Sequence, residues 1–260
     1  MTRSNLEKKI EAKIDSELFA KSKRKKLPDG FKGNKVINEV LDKSTIFTLY
    51  DLIKSKVISY INGTIKAGKE SVVFWAVDDA GKDIALKVYL VSTSNFKKRA
   101  QYILGDPRFS RIKKGTRNLV YLWAKKEFTN LNRCFDCGLP VVRPIHVSKN
   151  VLVMEFVGKN GIPAKTLAET EINEKDYQSA ISIIERLYKD AKLIHADFSE
   201  YNIFKTDKGL ILFDLGSAVV RQHPNAEKFL KRDINNISNF FAKRGLTVQN
   251  PLDVIVKVMK

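Results

Sequence analysis

The chain has 260 residues, 43% hydrophobic and 10% aromatic, enough to bury the core of one two-lobed domain or two small ones. No apolar run reaches the length of a membrane span, and the charged opening MTRSNLEKKIEAKID lacks a signal peptide's apolar centre, so a soluble cytoplasmic protein with no membrane partner is expected. A formal net charge of +18 points to a polyanionic partner, RNA above all.

Residues 1 to about 35 are polar and basic, with a Lys21-Ser22-Lys23-Arg24-Lys25-Lys26 cluster, Pro28-Asp29-Gly30 and Gly33. They read as a short helix and a mobile linker. Residues 36–60 read as helical, capped by Asp42 or Ser44, with Ile46, Leu49, Ile53 and Val57 on the apolar face. Residues 61–90 read as strands. INGTIKAGKESVVFWAV alternates, turns at Gly68-Lys69-Glu70 and ends in the β-favouring run Val72 to Val77. A turn at Asp78–Asp83 precedes the strand Ile84–Leu90, whose one charge is Lys87. A lysine in an apolar strand either faces solvent or needs an anion.

Residues 91–118 look like an insertion between strand and helix. Within 97–117 stand eight basic residues (Lys97, Lys98, Arg99, Arg108, Arg111, Lys113, Lys114, Arg117) against one acid, Asp106, which favours an anionic partner. Leu119–Leu131 reads as an amphipathic helix with Leu119, Trp123, Phe128 and Leu131 toward the core. Cys134 and Cys137 form a lone C-x-x-C, read as two ordinary thiols of a reducing compartment. Cys137-Gly138-Leu139-Pro140 ends the helical region. Val141–Val147 and Val151–Val157 read as strands around a Ser-Lys-Asn turn. Residues 173–192 read as a helix, because Tyr177, Ile181, Ile184, Leu187 and Tyr188 recur at helical spacing. The chain beyond Asp214 fits a pair of helices, with His223 at the surface.

The chemistry concentrates in LIHADFSEYNIFKTDKGLILFDLG, Leu193 to Gly216. A loop from His195 to Asn202 leads into a strand at Ile203. Thr206-Asp207-Lys208-Gly209 is a turn, and Leu210–Phe213 is the returning strand. Antiparallel pairing sets Asn202, at the start of the first strand, near Asp214, at the end of the second, with Asp197 a short loop away. Such oxygen ligands suit a magnesium ion that keeps waters and binds substrate phosphates.

The order His-x-Asp-x-x-x-x-Asn, hairpin, Asp-x-Gly resembles the catalytic and metal-binding segments of protein kinases. The string HADFSEYN resembles the RIO family of atypical serine/threonine kinases. Ordinary kinases usually carry Arg at the position of Ala196 and Lys at that of Ser199. IKAGKESVV resembles the family's phosphate-facing turn, with Ala67 where Ser or Thr is usual, and WAKKEFTNL its helix C. VLVMEFVG resembles the strand that runs into the hinge. VLDKSTIFTLYDLIKSKVISYINGTI, with too little chain before it for the linker and a winged-helix domain, resembles the Rio-one type.

The resemblance spans roughly residues 36–240. It implies an α+β, two-lobed protein-kinase-like fold with a trimmed C-terminal lobe, lacking a peptide-substrate platform and an activation loop. Residues 1–60 would be a basic, helical extension, 61–156 a β-rich nucleotide lobe with a flexible basic insertion near 91–118, and 157–260 a helical lobe carrying the catalytic and metal-binding loops. It implies ATP as cofactor with magnesium, or manganese. Lys87 would hold the inner phosphates, oriented by Glu127. Lys66, Ala67, Gly68, Lys69 and Glu70 would line the phosphates, and Val73, Met154, Glu155 and Phe156 the adenine. Asn202 and Asp214 would bind the metal, and Asp197 would accept the proton of the incoming hydroxyl; His195 packs beneath the loop. The implied activity is serine phosphorylation, of the protein itself included, in small ribosomal subunit maturation, with the pre-ribosomal particle and its RNA reached through 97–117. An ATPase switch that docks on and leaves that particle is the alternative, and an inactive nucleotide-binding scaffold the third.

Overall fold

The computed structural model describes residues 41–91, 100–109 and 115–260. The expected helix and linker of residues 1–35, with the Lys21–Lys26 cluster, lie outside the described residues, as do Lys97, Lys98, Arg99, Arg111, Lys113 and Lys114 of the basic run.

Helix α1 (Lys43–Lys54) is capped by Asp42, whose carboxylate accepts from the Thr45 N–H at 2.8 Å and the Thr45 hydroxyl at 2.6 Å. Its buried face, Leu49 and Leu52, covers one side of a five-stranded antiparallel sheet. The strands are β1 (Tyr60–Ala67), β2 (Ser71–Val77), β3 (Asp83–Tyr89), β4 (Pro144–Ser148) and β5 (Val151–Glu155), in the order β1-β2-β3-β5-β4. The strand expected from Val141 starts later, at Pro144. Val141 instead bridges to Leu212 in the other lobe.

The central strand β3 is buried on both faces, which is why it reads as a nearly unbroken apolar run. Ile84, Leu86 and Val88 pack on the α1 side. Ala85, Lys87 and Tyr89 therefore share the opposite face, where the long helix α2 (Thr116–Asp136) lies. Val120, Trp123, Ala124, Glu127, Leu131 and Cys134 of α2 are buried at three- and four-residue intervals, one inward stripe. Leu119 and Phe128, expected inside, are only partly covered, because Lys126 and Asn130 take inward positions instead. Cys134 and Cys137 are free thiols, and burial pushes the Cys134 thiol up to about 12, so it is unreactive.

Within the expected insertion near 91–118, the described stretch 100–109 docks part of its side chains inward. Ile103 and Phe109 are buried against Tyr89, Val120, Trp123 and Ala124. The same segment reaches the other lobe through His223, which was expected at the surface and is 3% exposed. Its Nε2 lies 3.1 Å from the Gln101 carbonyl and 2.9 Å from the Leu104 carbonyl. Tyr102 packs on Phe229 with ring centroids 5.3 Å apart. Gly105 turns here at φ 93°, and a Cβ there would sit 2.7 Å from Pro224. Nothing local in Arg-Gln-His-Pro signals such a docking partner, so sequence reasoning missed it.

A short hairpin, β6 (Gly158–Lys159) and β7 (Ile162–Pro163), leads into the helical lobe. There α3 (Glu174–Lys189), α4 (Ala226–Lys243) and α5 (Pro251–Met259) enclose one core with the hairpin β9 (Ile203–Thr206) and β10 (Gly209–Leu212). Between Asp214 and α4 the chain makes only the strand β11 (Val219–Val220), paired with β8 (Leu193–Ile194), so no activation loop fits. Among the described residues only one helix, α5, follows α4. The result is a trimmed, two-lobed α+β kinase-like fold. Among the described residues no helix is long and apolar enough to cross a membrane.

Candidate active site

Three charged side chains from three elements meet between the lobes. Lys87 Nζ lies 2.9 and 3.0 Å from the two carboxylate oxygens of Glu127 and 2.8 Å from Asp214 Oδ1. Lys87 is 7% exposed and Glu127 fully buried. Burial works against the charge of Lys87, but the Asp214 and Glu127 carboxylates outweigh it and raise its pKa. Burial also pushes Glu127 up, to about 7, against the pull of Lys87. The close contact through both oxygens favours the ionised pair.

The hairpin β9–β10 places the remaining polar groups. Its register pairs Gly209 with Thr206 and Leu212 with Ile203, and Phe204 stacks on Phe213 at 4.1 Å. The Phe213 N–H donates to the Asn202 carbonyl at 3.0 Å, so Asp214 emerges beside Asn202. The Asn202 amide nitrogen donates to the Asp197 carbonyl at 3.0 Å, which ties the catalytic-type loop to the hairpin. Asp197 itself is exposed, whereas Ala196 and Phe198 on either side are buried.

That contrast has a cause that sequence reasoning missed. The buried Asp233 of α4 accepts from the Ala196 N–H at 2.7 Å and the Phe198 N–H at 3.1 Å. Arg232 donates to the Ala196 carbonyl. Ala196 takes φ 62°, a conformation that costs a β-carbon-bearing residue about 1 kcal/mol or more, and these bonds hold it there. The backbone on both sides of Asp197 is thus gripped, and its side chain is presented outward. The available signal was a carboxylate inside an apolar helical stripe, Phe229, Leu230, Asp233, Ile234, Ile237. His195 is buried beneath the loop, edge-on to Phe198 at 5.6 Å. Burial drives its imidazole down to about 4, so it is neutral at physiological pH.

Burial pushes the Asp233 carboxyl up, from 3.8 to about 7, while the two N–H groups pull it back. The folded state then retains a proton that the unfolded chain has lost between those two values. Stability attributable to Asp233 therefore falls as pH rises from about 4 to about 7. Asp233→Asn, which cannot ionise, is expected to flatten that part of the curve. Urea midpoints measured at pH 5 and pH 7.5 for both proteins check it; equal slopes would show that Asp233 does not titrate there.

The other sequence candidates fall around the same cleft. Lys66, Ala67, Gly68 and Lys69 are exposed at the β1–β2 turn, where the Gly68 N–H donates to the Ser71 carbonyl at 2.9 Å. The Glu70 carbonyl accepts from the Leu90 N–H at 2.9 Å, which pins the turn to β3. Val73 pairs with Lys66 on one side and Lys87 on the other. Met154 is buried opposite Ala85. The Glu155 N–H is already engaged by the Arg143 carbonyl at 2.9 Å, and the Glu155 carboxylate accepts from the Arg143 N–H at 2.9 Å. The Glu155 carbonyl and the Phe156 main chain lie at the expected adenine edge, while the Glu155 N–H serves the link to Arg143.

Asn202 and Asp214 present an oxygen-only donor set. Among the described residues no cluster of three or more His, Cys, Asp or Glu side chains is placed to hold a metal by itself. The oxygen donors of Asn202 and Asp214 suit a hard cation such as Mg2+, which completes its shell with water and phosphate.

A buried lysine bonded to a helix glutamate and to an aspartate at the end of a hairpin, between a sheet lobe and a helical lobe, is an arrangement of the protein-kinase class. The RIO domain profile matches residues 72–253. The chain is 40% identical to the RIO-type serine/threonine-protein kinase Rio1 of Haloferax volcanii, over 81% of this chain and 73% of that one. It is 36% identical to the serine/threonine-protein kinase RIO1 of Caenorhabditis elegans, over 90% of this chain but only 48% of that longer one. Its backbone superposes with a TM-score of 0.64 on the crystal structure of the Rio2 kinase–ADP/Mg2+–phosphoaspartate complex from Chaetomium thermophilum, at 26% identity, covering 83% of this chain and 66% of that one. The chain belongs to the RIO family of serine/threonine-protein kinases and is of Rio1 type.

Proposed function

We propose that the protein transfers the terminal phosphoryl group of ATP, with Mg2+, to serine hydroxyls, its own included. The observation that carries this reading is the position of Lys87, bonded at once to Glu127 and to Asp214, beside an exposed Asp197. Lys87 binds the inner phosphates and Glu127 fixes its direction. The β1–β2 turn, residues 66–70, offers N–H groups to phosphate, and Val73, Met154 and the main chain from Glu155 to Phe156 enclose the adenine. Asn202 and Asp214 would hold the Mg2+, which would supply positive charge to offset that of the phosphates. Asp197 accepts the proton of the incoming hydroxyl.

The cell context we infer is small-subunit ribosome maturation in the cytoplasm, with the basic run facing RNA. The net charge of +18 supports it. Two members of the run are engaged elsewhere: Arg108 bonds inward to Asp106 and Asn130, and Arg117 pairs with Asp42 at 2.9 Å. The remaining six would carry the contact. The second reading is an ATPase switch on the same particle. The phosphoaspartate named in the Chaetomium thermophilum Rio2 structure favours it, since an acyl phosphate hydrolyses readily.

Gamma-labelled ATP with Mg2+ and no added substrate separates the readings. Acid-stable label on serine, absent in Asp197→Ala and Asp214→Ala, supports the kinase. Free phosphate with only hydroxylamine-sensitive label moves the reading to the switch. Neither signal, with nucleotide still bound, leaves a scaffold.

A further inference from the structure

Lys126 is a buried lysine, the pKa of its amine lowered by burial to about 7, that the chemistry above does not use. Among the described residues no carboxylate lies within bonding distance of it. Its Nζ donates to the Gly216 carbonyl at 2.8 Å and to the Ala218 carbonyl, and it lies 5.3 Å from the centre of the Trp123 ring. One helical turn on, the buried Asn130 donates its amide to the Leu215 carbonyl at 2.9 Å and the Ala218 carbonyl at 3.0 Å. Residues four apart share a helix face, so both side chains leave α2 toward the same stretch of loop. That stretch begins immediately after Asp214.

Two further observations make the contact specific. Gly216 sits so close to α2 that a Cβ there would lie 2.7 Å from Trp123 Nε1 and 3.4 Å from a Glu127 oxygen. The Asn130 amide is also oriented: its oxygen accepts from Arg108 Nη1 at 2.9 Å, which turns the nitrogen to the loop. Arg108 is itself held by the buried Asp106, at 3.0 Å through Nε and 2.7 Å through Nη2. The packed part of the insertion thus braces the amide that braces the loop.

We propose that Lys126 and Asn130 are positioning residues that clamp the backbone after Asp214 to the helix bearing Glu127, so that the metal-binding carboxylate and the Lys87–Glu127 pair are held as one unit, with Asp106 and Arg108 orienting the clamp. This rests on the nucleotide-site reading above. A carboxylate that must meet both an ammonium and a cation loses affinity when its backbone drifts, and outer-shell partners of metal ligands usually matter by about 10- to 100-fold in metal affinity.

The test titrates Mg2+ against binding of a fluorescent ADP analogue to the full chain, for the parent, Lys126→Met and Arg108→Gln, with thermal midpoints alongside. Lys126→Met keeps the buried stem and removes the donors. It is expected to raise the half-saturating Mg2+ concentration by about tenfold or more while metal-free nucleotide affinity is unchanged. Arg108→Gln is expected to move it in the same direction by less. A Lys126→Met protein with the parent's Mg2+ requirement and only a lower thermal midpoint overturns the proposal. If Lys126→Met does not fold, Arg108→Gln decides: a raised requirement supports the clamp, and the parent's value overturns it. A parent protein whose nucleotide binding ignores Mg2+ overturns the nucleotide-site reading and this inference with it.

Discussion

Asp197→Asn is expected to lower phosphoryl transfer by about a thousandfold, within the usual range for removing a positioned general base. Nucleotide binding and thermal midpoint should stay close to those of the parent. The reason is structural. The loop is held by bonds from Asp233 and Arg232 to the main chain of Ala196 and Phe198, and the Asp197 side chain is exposed. The amide keeps the shape and the backbone contacts and loses only the basic oxygen. Steady-state turnover, nucleotide titration and a melting curve on one preparation check all three expectations. Turnover within about tenfold of the parent would remove Asp197 from the chemistry.

Lys87→Met should damage both chemistry and stability. It leaves Glu127 buried with no counter-ion and Asp214 without its 2.8 Å partner. Stranding one member of a buried pair typically costs about 3–5 kcal/mol. The cost should depend on pH. Burial already raises Glu127 from 4.5 to about 7 in the presence of Lys87, and without the ammonium it rises further. The folded variant then retains a proton that the unfolded chain loses above about 4.5, so its stability falls as pH rises. The handicap should be smaller at pH 5 than at pH 8. The double variant Lys87→Met, Glu127→Leu should recover part of the stability and none of the activity. Chemical denaturation at the two pH values measures the first expectation. A pH-independent loss would mean that Glu127 finds another partner.

The legible part of the site is local in the chain or carried by strong periodicity. Asn202 and Asp214 flank a hairpin whose turn chemistry and apolar strands are written in the eleven residues between them, so their approach follows from antiparallel register. Lys87 is legible as a charge in an apolar strand that needs an anion, and the resemblance of WAKKEFTNL to the family's helix C is what named Glu127, forty residues away, as its partner.

The illegible part is contact between residues whose local patterns are ordinary. Asp233 stands inside an apolar helical stripe that marks it as inward-facing, but its partners, the Ala196 and Phe198 N–H groups, leave no mark in the sequence. Lys126 follows another lysine, and the i+1 neighbour of an exposed residue can face the core: Lys125 points to solvent and Lys126 inward. His223 and residues 100–109 find each other across more than a hundred residues, and Arg108 turns from an apparent RNA contact into an internal brace.

By itself the sequence determined the elements and the hairpin, because periodicity and turn chemistry act over short spans; its motifs carried the resemblance that named the family and the partner of Lys87. Only the tertiary structure decided which ordinary polar residues hold the loops in place. Their partners are main-chain N–H and C=O groups, which every residue carries, so no side-chain pattern announces them.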